Sequence, residues 1–206
     1  MIVPIIAYSS PIVIGLIIPL LLTERKKHLA EFLVKVLILT GITSLVVGIA
    51  ALLARDTFYY LTIQSYVFFV IFLASWSVLV SGLYFFLAHL NNIRIPAMII
   101  TYAVIIFLYG LVFFANPLIE TFSYSLYARQ FVIKIIVFIN PFLTIAANFF
   151  RDDILRAGTI YKQSIIGAYY SYSYADWRVC SFVYCVIGVV CYSIGYYQSR
   201  KTDIKT

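Results

Sequence analysis

The chain has 206 residues, of which 64% are hydrophobic and 11% charged, and its formal net charge is +7. Soluble domains are about half apolar and about a quarter charged, and disordered chains combine low hydrophobicity with high charge, so the composition excludes both classes. Because a membrane-spanning helix uses about 20 apolar residues, the chain predicts an all-α, polytopic transmembrane bundle of about six spans. These spans fill one transmembrane domain, 1–206.

The apolar runs place the spans at approximately residues 2–22, 32–53, 58–88, 96–115, 131–150 and 179–197. The first run contains Pro11 and Pro19, which predict a kink because proline removes a helical hydrogen bond. It ends at the densest charge cluster of the chain, Glu24, Arg25, Lys26 and Lys27. The third run is longer than the hydrocarbon layer requires, so that helix must tilt or project beyond the bilayer.

The fifth predicted span is interrupted in its middle by Asn140 and Pro141. Proline frees a backbone carbonyl at membrane depth and asparagine is polar there, so this pair is the candidate gate or kink of the bundle. The segment that follows, 151–177, is too polar to span and too aromatic for an ordinary loop. Tyrosine and tryptophan favour the headgroup layer. We therefore expect an interfacial segment anchored by Tyr169, Tyr170, Tyr172, Tyr174 and Trp177.

The basic residues give a prediction of orientation. Six alternating spans divide the Lys and Arg residues nine to six between the two sides, and Arg25 belongs to the larger group. The positive-inside rule therefore places the Arg25 cluster in the cytoplasm and both termini outside. Because the cations lie in short loops, we expect them to contact anionic membrane lipids. A nucleic-acid partner is not expected, since it needs a clustered basic face on a soluble domain.

Groups that carry chemistry are scarce in the predicted spans. Every carboxylate lies in a loop or at a span end, whereas a proton-coupled pump needs ionisable groups at membrane depth. His28 and His89 lie in loops, and Cys180, Cys185 and Cys191 have neither metal-site nor disulfide-framework spacing. We therefore expect no metal and no cofactor. No Walker motif or serine-hydrolase elbow occurs, so the chain is not expected to be an enzyme.

One enzymatic alternative depends on the adjacent carboxylates Asp152 and Asp153. A lipid-headgroup transferase holds a hydrated divalent cation with several carboxylates. The chain has no second carboxylate one helical turn from this pair. A polar helix start at the membrane edge explains the two acids better, because the N-terminal end of a helix dipole favours negative charge.

Three further features share a pattern. The charged stretch Glu24–Lys27 runs into Ala30–Leu33 after an early span, Asn140–Leu143 precedes an aromatic segment that ends at Trp177, and the last apolar run closes with Arg200–Lys201. Together these features resemble the membrane permeases of ATP-binding-cassette exporters. The resemblance implies a non-catalytic permease subunit that works with a second permease and a separate ATPase to export a substrate. It also implies that the Glu24–Lys27 stretch contacts the ATPase and that the tyrosine-rich segment gates or anchors the bundle.

The sequence departs from that family in two places. The amphipathic helix that usually precedes the first span is missing, and His28–Leu29 stands where the family has Gly-Thr. The family also has both termini in the cytoplasm, opposite to the side that the basic residues predict.

A second hypothesis stays open, a structural or assembly subunit of a larger multi-subunit membrane complex. The lack of intramembrane charge and of cofactor ligands, together with 18% aromatic residues, suits a chain that mainly packs. Under both hypotheses we expect an integral, multi-pass protein of a prokaryotic cytoplasmic membrane.

Overall fold

The computed structural model describes residues 2–22, 29–53, 62–90, 94–122, 125–151, 153–156, 166 and 170–203. Over these ranges the regular structure is helical and contains no strand. The helices are α1 (Ile2–Leu21), α2 (Leu29–Leu53), α3 (Ile63–Leu90), α4 (Arg94–Gly110), α5 (Ala115–Thr121), α6 (Leu126–Ile139), α7 (Pro141–Phe149) and α8 (Trp177–Asp203). A short 3₁₀ turn, Ile154–Arg156, follows α7. The prediction of an all-α chain is confirmed.

The main core of the bundle surrounds α3. Trp76, Phe69 and Phe72 on this helix are fully buried against apolar side chains of α1, α2, α4, α7 and α8. A second core joins α5, α6 and the start of α7 to Leu155, Ile166 and the tyrosines that precede α8. Helix α7 contributes Leu143 to the second core and Ile145 to the main core, so it lies between the two.

The proline-containing helix α1 runs unbroken from Ile2 to Leu21. The hydroxyl of Ser10 donates a 2.6 Å hydrogen bond to the carbonyl of Ala7, the acceptor that Pro11 leaves without a helical N–H. The indole Nε1 of Trp76 donates to the carbonyl of Pro11 at 2.9 Å. The backbone groups near Pro11 are therefore satisfied by side chains, which allows the helix to continue through the proline.

Helices α3 and α8 run in the same direction. Trp177 stacks on Phe68 near the start of α3, Tyr184 packs on Trp76, and Tyr192 stacks on Phe85 near its end. In six spans that alternate between two sides, the third and the sixth run in opposite directions. The parallel direction therefore does not fit the predicted six-span order. We call the end where α3 and α8 begin the Trp177 end, and the end where α4 begins the Arg94 end.

Within the described residues, two to four helical segments meet the length and composition needed to cross a membrane. Within the described residues, Ile63–Leu90 and Trp177–Ser199 are each long and apolar enough to cross a membrane. Two bent pairs, α4 with α5 at 80° and α6 with α7 at 75°, raise the number to at most four. Ile5–Leu21 and Val34–Ala50 are shorter apolar helices. The structure thus supports an integral membrane helical protein, while six spans are not confirmed.

Candidate functional site

The most unusual feature of the bundle is the interruption between α6 and α7. Asn140 has an extended backbone, with φ −82° and ψ 112°, and Pro141 is the first residue of the next helix. Asparagine is a favoured N-cap, and proline suits the first helical position because its missing N–H has no helical acceptor there. The sequence Asn-Pro therefore ends one helix and begins another at a bend of 75°.

Asn140 is fully buried and uses its side chain in three hydrogen bonds. Its Oδ1 accepts from the backbone N–H groups of Phe142 at 3.0 Å and Leu143 at 3.3 Å. Its Nδ2 donates to the carbonyl of Tyr109, in the last turn of α4, at 3.1 Å. One amide side chain thus caps α7 and links it to the C-terminal end of α4. We call Tyr109, Gly110, Asn140 and Pro141 the helix junction.

The helix junction lies level with the middle of the bundle. The hydroxyl of Tyr184 donates to the carbonyl of Ile139 at 2.9 Å, and its ring packs on Trp76, the midpoint of the 28-residue α3. Tyr109 also contacts Trp76, with the ring centroids 6.4 Å apart. From Arg94 to Tyr109, α4 rises only about 22 Å, roughly half the length of α3. Helix α4 therefore ends at mid-depth.

Helix α7 continues from the helix junction toward the Trp177 end. Thr144 Oγ1 contacts Cys180 Sγ at 3.7 Å, and one turn later Asn148 Nδ2 donates to the carbonyl of Ala175 at 2.9 Å. Phe149 then packs on Phe69 near the start of α3. Helices α4 and α7 thus meet end to end at mid-depth, and residues 111–139 connect them. The negative end of the α4 dipole faces the positive end of the α7 dipole, which favours this arrangement.

The groups at the helix junction are polar but uncharged. Tyr8 packs edge-on against Phe142, and the hydroxyl of Tyr109 donates to the carbonyl of Tyr8 at 3.2 Å. On the opposite side, the buried Sγ of Cys180 donates to the carbonyl of Phe138 at 3.5 Å. Phenol, amide, hydroxyl and thiol groups can pair with a polar neutral molecule, but they offer no counter-charge to an ion.

A second polar cluster lies beside the segment that precedes α8. We call residues 170–176 the tyrosine strap. The phenols of Tyr172 and Tyr174 both donate to Oδ1 of Asp153, at 2.7 and 2.6 Å. The guanidinium of Arg156 lies 3.7 Å from Oδ2 of the same carboxylate and 5.5 Å from the centre of the Tyr172 ring. A single carboxylate therefore ties two strap side chains to the turn after α7.

Both strap phenols keep their protons over the physiological pH range. Burial, with the hydrogen bond to Asp153, raises the pKa of Tyr172 to about 12. The same two causes raise the pKa of Tyr174 further. Each group is therefore a permanent donor to Asp153, and the bonds are of the charge-assisted kind, which is stronger than a bond between neutral groups.

Asn148 fixes the far end of the tyrosine strap. Its Nδ2 donates to Ala175, while its Oδ1 accepts from the backbone N–H of Trp177 at 3.2 Å. Asp176 accepts from the N–H of Arg178 at 2.8 Å, as an N-cap of α8 does. Trp177 stacks on Phe68 and also contacts Phe149. The end of the strap, the start of α8 and the end of α7 thus form one packed unit.

The structure places the predicted site residues as follows. Asn140 and Pro141 form the break between α6 and α7. Tyr170, Tyr172 and Tyr174 pack on the second core, and Trp177 packs on α3, so these four side chains contact protein as well as the surroundings. Outside the described residues lie Tyr169, Asp152 and the predicted partner contact of Glu24, Arg25, Lys26 and Lys27.

Sequence reasoning missed the roles of Asn148 and Asp153. A signal for the strap was nevertheless present, because Tyr170, Tyr172 and Tyr174 alternate with small residues at the period of two that extended chain requires. Ser171 and Ser173 are exposed, whereas the tyrosines turn toward the core. Read as an extended segment with one aromatic face, this stretch predicts a partner for the phenols.

Comparisons with protein-family models, curated proteins and solved structures gave no match.

Proposed function

We propose that the chain is a non-catalytic permease subunit of a prokaryotic cytoplasmic membrane, which works with a separate ATPase and a second permease to export a substrate. The observation that carries this proposal is the helix junction, where α4 and α7 meet end to end at mid-depth through Asn140 and Tyr109. Transport proteins build their substrate sites from interrupted helices of this kind. Irregular backbone at membrane depth is tolerated where protein buries it or where it lines a pathway.

We infer five crossings rather than six. Helices α1, α2, α3 and α8 are four of them, and α4 and α7, which meet end to end, together form the fifth. This order explains why α3 and α8 are parallel, and it places the N-terminus at the Trp177 end and the C-terminus at the Arg94 end. Arg129 and Lys134 lie in the connection between α4 and α7 and belong to neither end. The other Lys and Arg residues divide eight to five, with the eight at the Arg94 end, so charge gives only a small bias to the orientation.

The proposed ATPase contact fixes the orientation instead. If Glu24, Arg25, Lys26 and Lys27 contact a cytoplasmic ATPase, the Arg94 end faces the cytoplasm and the Trp177 end faces outward. Epitope tags on the two termini test this directly in intact and permeabilised cells. The N-terminal tag should be accessible to antibody in intact cells, and the C-terminal tag only after permeabilisation. Accessibility of both tags from one side would contradict the five-crossing order.

The decisive test of function is recovery of the partner. The tagged chain is purified in mild detergent from its native host, and every stoichiometric partner is identified by mass spectrometry. A photo-crosslinking amino acid at Arg25 should capture a soluble nucleotide-binding subunit. The same amino acid at Gln64, an exposed position at the start of α3, is the matched control at the other end of the bundle and should not capture it.

A structural or assembly subunit of a larger membrane complex is the second candidate. It is favoured by the three hydrogen bonds of the buried Asn140 amide, which suit a fixed brace as well as a transport site. It also accounts for the apolar face that α2 exposes through Leu37, Ile42 and Leu45, because subunits could cover it. Recovery of one large stoichiometric assembly without an ATPase would support this candidate and exclude the permease.

A further inference from the structure

Tyr84 is a buried side chain whose hydroxyl lacks a hydrogen-bond partner. It lies on α3, in the half nearest the Arg94 end, and is only 2% exposed. Within the part of the chain that the structure describes, its phenol oxygen is buried and makes no hydrogen bond. A buried hydroxyl without a partner is costly, so most such groups in native proteins are paired. The unpaired phenol therefore indicates a partner that comes from outside the chain.

Neighbouring hydroxyls on α3 and α4 do have partners. One turn earlier on α3, the hydroxyl of Ser81 donates to the carbonyl of Val78 at 2.9 Å. On the buried face of α4, the hydroxyl of Thr101 donates to the carbonyl of Ala97 at 2.8 Å. Serine and threonine can form such bonds within their own helix because their hydroxyls lie close to the backbone. A phenol extends too far for this, so Tyr84 needs an acceptor from elsewhere.

The surroundings of the Tyr84 phenol favour an anion. Arg94, the half-buried first residue of α4, and the phenol of Tyr102 both interact electrostatically with Tyr84. Helix α4 has 17 residues, and the positive end of its dipole lies at Arg94. A guanidinium has five donors and no acceptor, and a phenol can donate. An anion with several oxygens can accept from both groups, as a phosphate does when it binds arginine.

The depth of Tyr84 matches the boundary between the hydrocarbon and the lipid headgroups. Helix α3 has 28 residues and is therefore about 42 Å long, whereas the hydrocarbon layer is about 30 Å thick. A helix centred in that layer projects about 6 Å at each end. Tyr84 precedes the last residue, Leu90, by about 9 Å of helix rise, so its backbone lies about 3 Å inside the boundary. Lipid phosphates begin just outside it.

We propose that Tyr84 and Arg94 bind the phosphate of an anionic phospholipid at the Arg94 end of the bundle. The phenol donates to one phosphate oxygen, and the guanidinium pairs with the same phosphate. The headgroup enters beside Tyr102, whose 2.9 Å bond to the carbonyl of Leu16 on α1 is exposed. The Tyr84 hydroxyl is covered in this structure, so binding includes a shift of the side chains around it. The site requires only that the chain lies in a membrane, and it would serve a permease or a structural subunit equally.

The experiment measures stabilisation of the full chain by lipid. The protein is purified in mild detergent, stripped of lipid and titrated with dioleoylphosphatidylglycerol, and thermal unfolding is followed by tryptophan fluorescence. A ligand that binds the folded state raises the unfolding midpoint in a saturable way. Dioleoylglycerol has the same acyl chains without the phosphate, and inorganic phosphate supplies the anion without the chains. Only dioleoylphosphatidylglycerol should raise the midpoint.

Two substitutions locate the site. Tyr84→Phe keeps the ring and removes the unpaired hydroxyl, so without lipid its midpoint should equal or exceed that of the wild type. With dioleoylphosphatidylglycerol, its half-saturating concentration should rise at least about tenfold, because it loses a hydrogen bond to a charged group. Arg94→Gln should produce a similar rise. Tyr127→Phe and Arg151→Gln change an exposed tyrosine and an exposed arginine elsewhere, so these matched controls should bind as the wild type does.

The proposal is overturned if Tyr84→Phe and the wild type bind dioleoylphosphatidylglycerol equally well. That result would leave the phenol to a buried water, which satisfies the hydroxyl without making lipid binding depend on it. Equal stabilisation by dioleoylglycerol would overturn it too, because the acyl chains alone would then account for the effect. If inorganic phosphate alone produces the rise that depends on Tyr84, the ligand is a dissolved anion and the lipid is excluded as its source.

Discussion

The close contact of α3 and α8 yields the sharpest prediction of stability. A methyl group at Gly188 would place its carbon 2.5 Å from the carbonyl oxygen of Val78 and 2.8 Å from the backbone nitrogen of Leu79. Ordinary carbon–oxygen contacts are about 3.3 Å, so the helices would have to separate by roughly 0.8 Å. The obstacle is backbone, which cannot rotate aside as a side chain can. Gly188→Ala should therefore carry the overpacking penalty of about 1–3 kcal/mol.

The contact between α3 and α8 extends along most of both helices, which adds to the loss of stability. A gap of about 0.5–1 Å forfeits a quarter to a half of each dispersion contact that it opens. At about 2–4 °C per kcal/mol for a chain of this size, the midpoint of thermal unfolding should fall by roughly 2–12 °C. Gly82→Ala should behave alike, because its new methyl group would meet the carbonyl oxygen of Gly188.

The assay is thermal unfolding in detergent, followed by tryptophan fluorescence. The chain has two tryptophans, and both Trp76 and Trp177 lie in contacts between α3 and α8. Gly41→Ala is the matched control, since a methyl group at this helical glycine meets nothing within 4 Å. Alanine is the better helix former, so the control should be neutral or slightly stabilised. Equal midpoints for Gly188→Ala and Gly41→Ala would refute the argument from backbone contact.

Three further outcomes are expected. Asn140→Ala should lower the midpoint of thermal unfolding by more than Gly188→Ala does. It leaves two buried N–H groups and the Tyr109 carbonyl without partners, and each unpaired group costs about 1–3 kcal/mol. Asn140→Ser can still cap α7 and should recover part of the loss in the same assay. Trp76→Phe keeps an aromatic ring but removes the donor to Pro11, so it should destabilise by about 1 kcal/mol, and an unchanged midpoint would show that this bond contributes nothing. The pKa of Tyr172 is raised to about 12, so its hydrogen bond to Asp153 should be fully present below the ordinary tyrosine pKa of about 10 and lost as the pH rises toward 12. In a titration followed by tyrosinate absorbance, the wild type should show a step of deprotonation at high pH that Tyr172→Phe lacks.

The sequence was informative wherever one apolar run forms one continuous helix. The ends of α1, α2 and α3 lie within a few residues of the predicted spans, because charged clusters and loops interrupt long apolar runs there. The pair Asn140–Pro141 was also identified as a break, since cap and proline chemistry are local. These features depend on neighbouring residues only.

The sequence could not give the path of the chain through the bundle. The runs 96–115 and 131–150 are each apolar enough to cross, so counting by composition makes them two spans. Only the bond from Asn140 to Tyr109 and the ring contacts of Tyr184 reveal that α4 and α7 meet end to end. For the same reason the direction of α8 relative to α3 was wrong in the six-span order. Contacts between distant residues decide both features, and no local pattern encodes them.

The two kinds of contact in this bundle also divide its mechanical roles. Glycine contacts bring the α3 and α8 backbones together, and aromatic stacking continues the pair from Phe68 to Phe85, so separation costs packing at every turn. Helix α7 is only 9 residues long, yet it contributes buried side chains to both cores, and single polar side chains position its two ends, Asn140 at the start and Asn148 near the end. Directional bonds of this kind fix where a short helix begins and ends, whereas packing holds a long pair along its whole length. The pair of α3 and α8 is therefore the frame of the bundle, and α7 packs against that frame with its register set by the two asparagines.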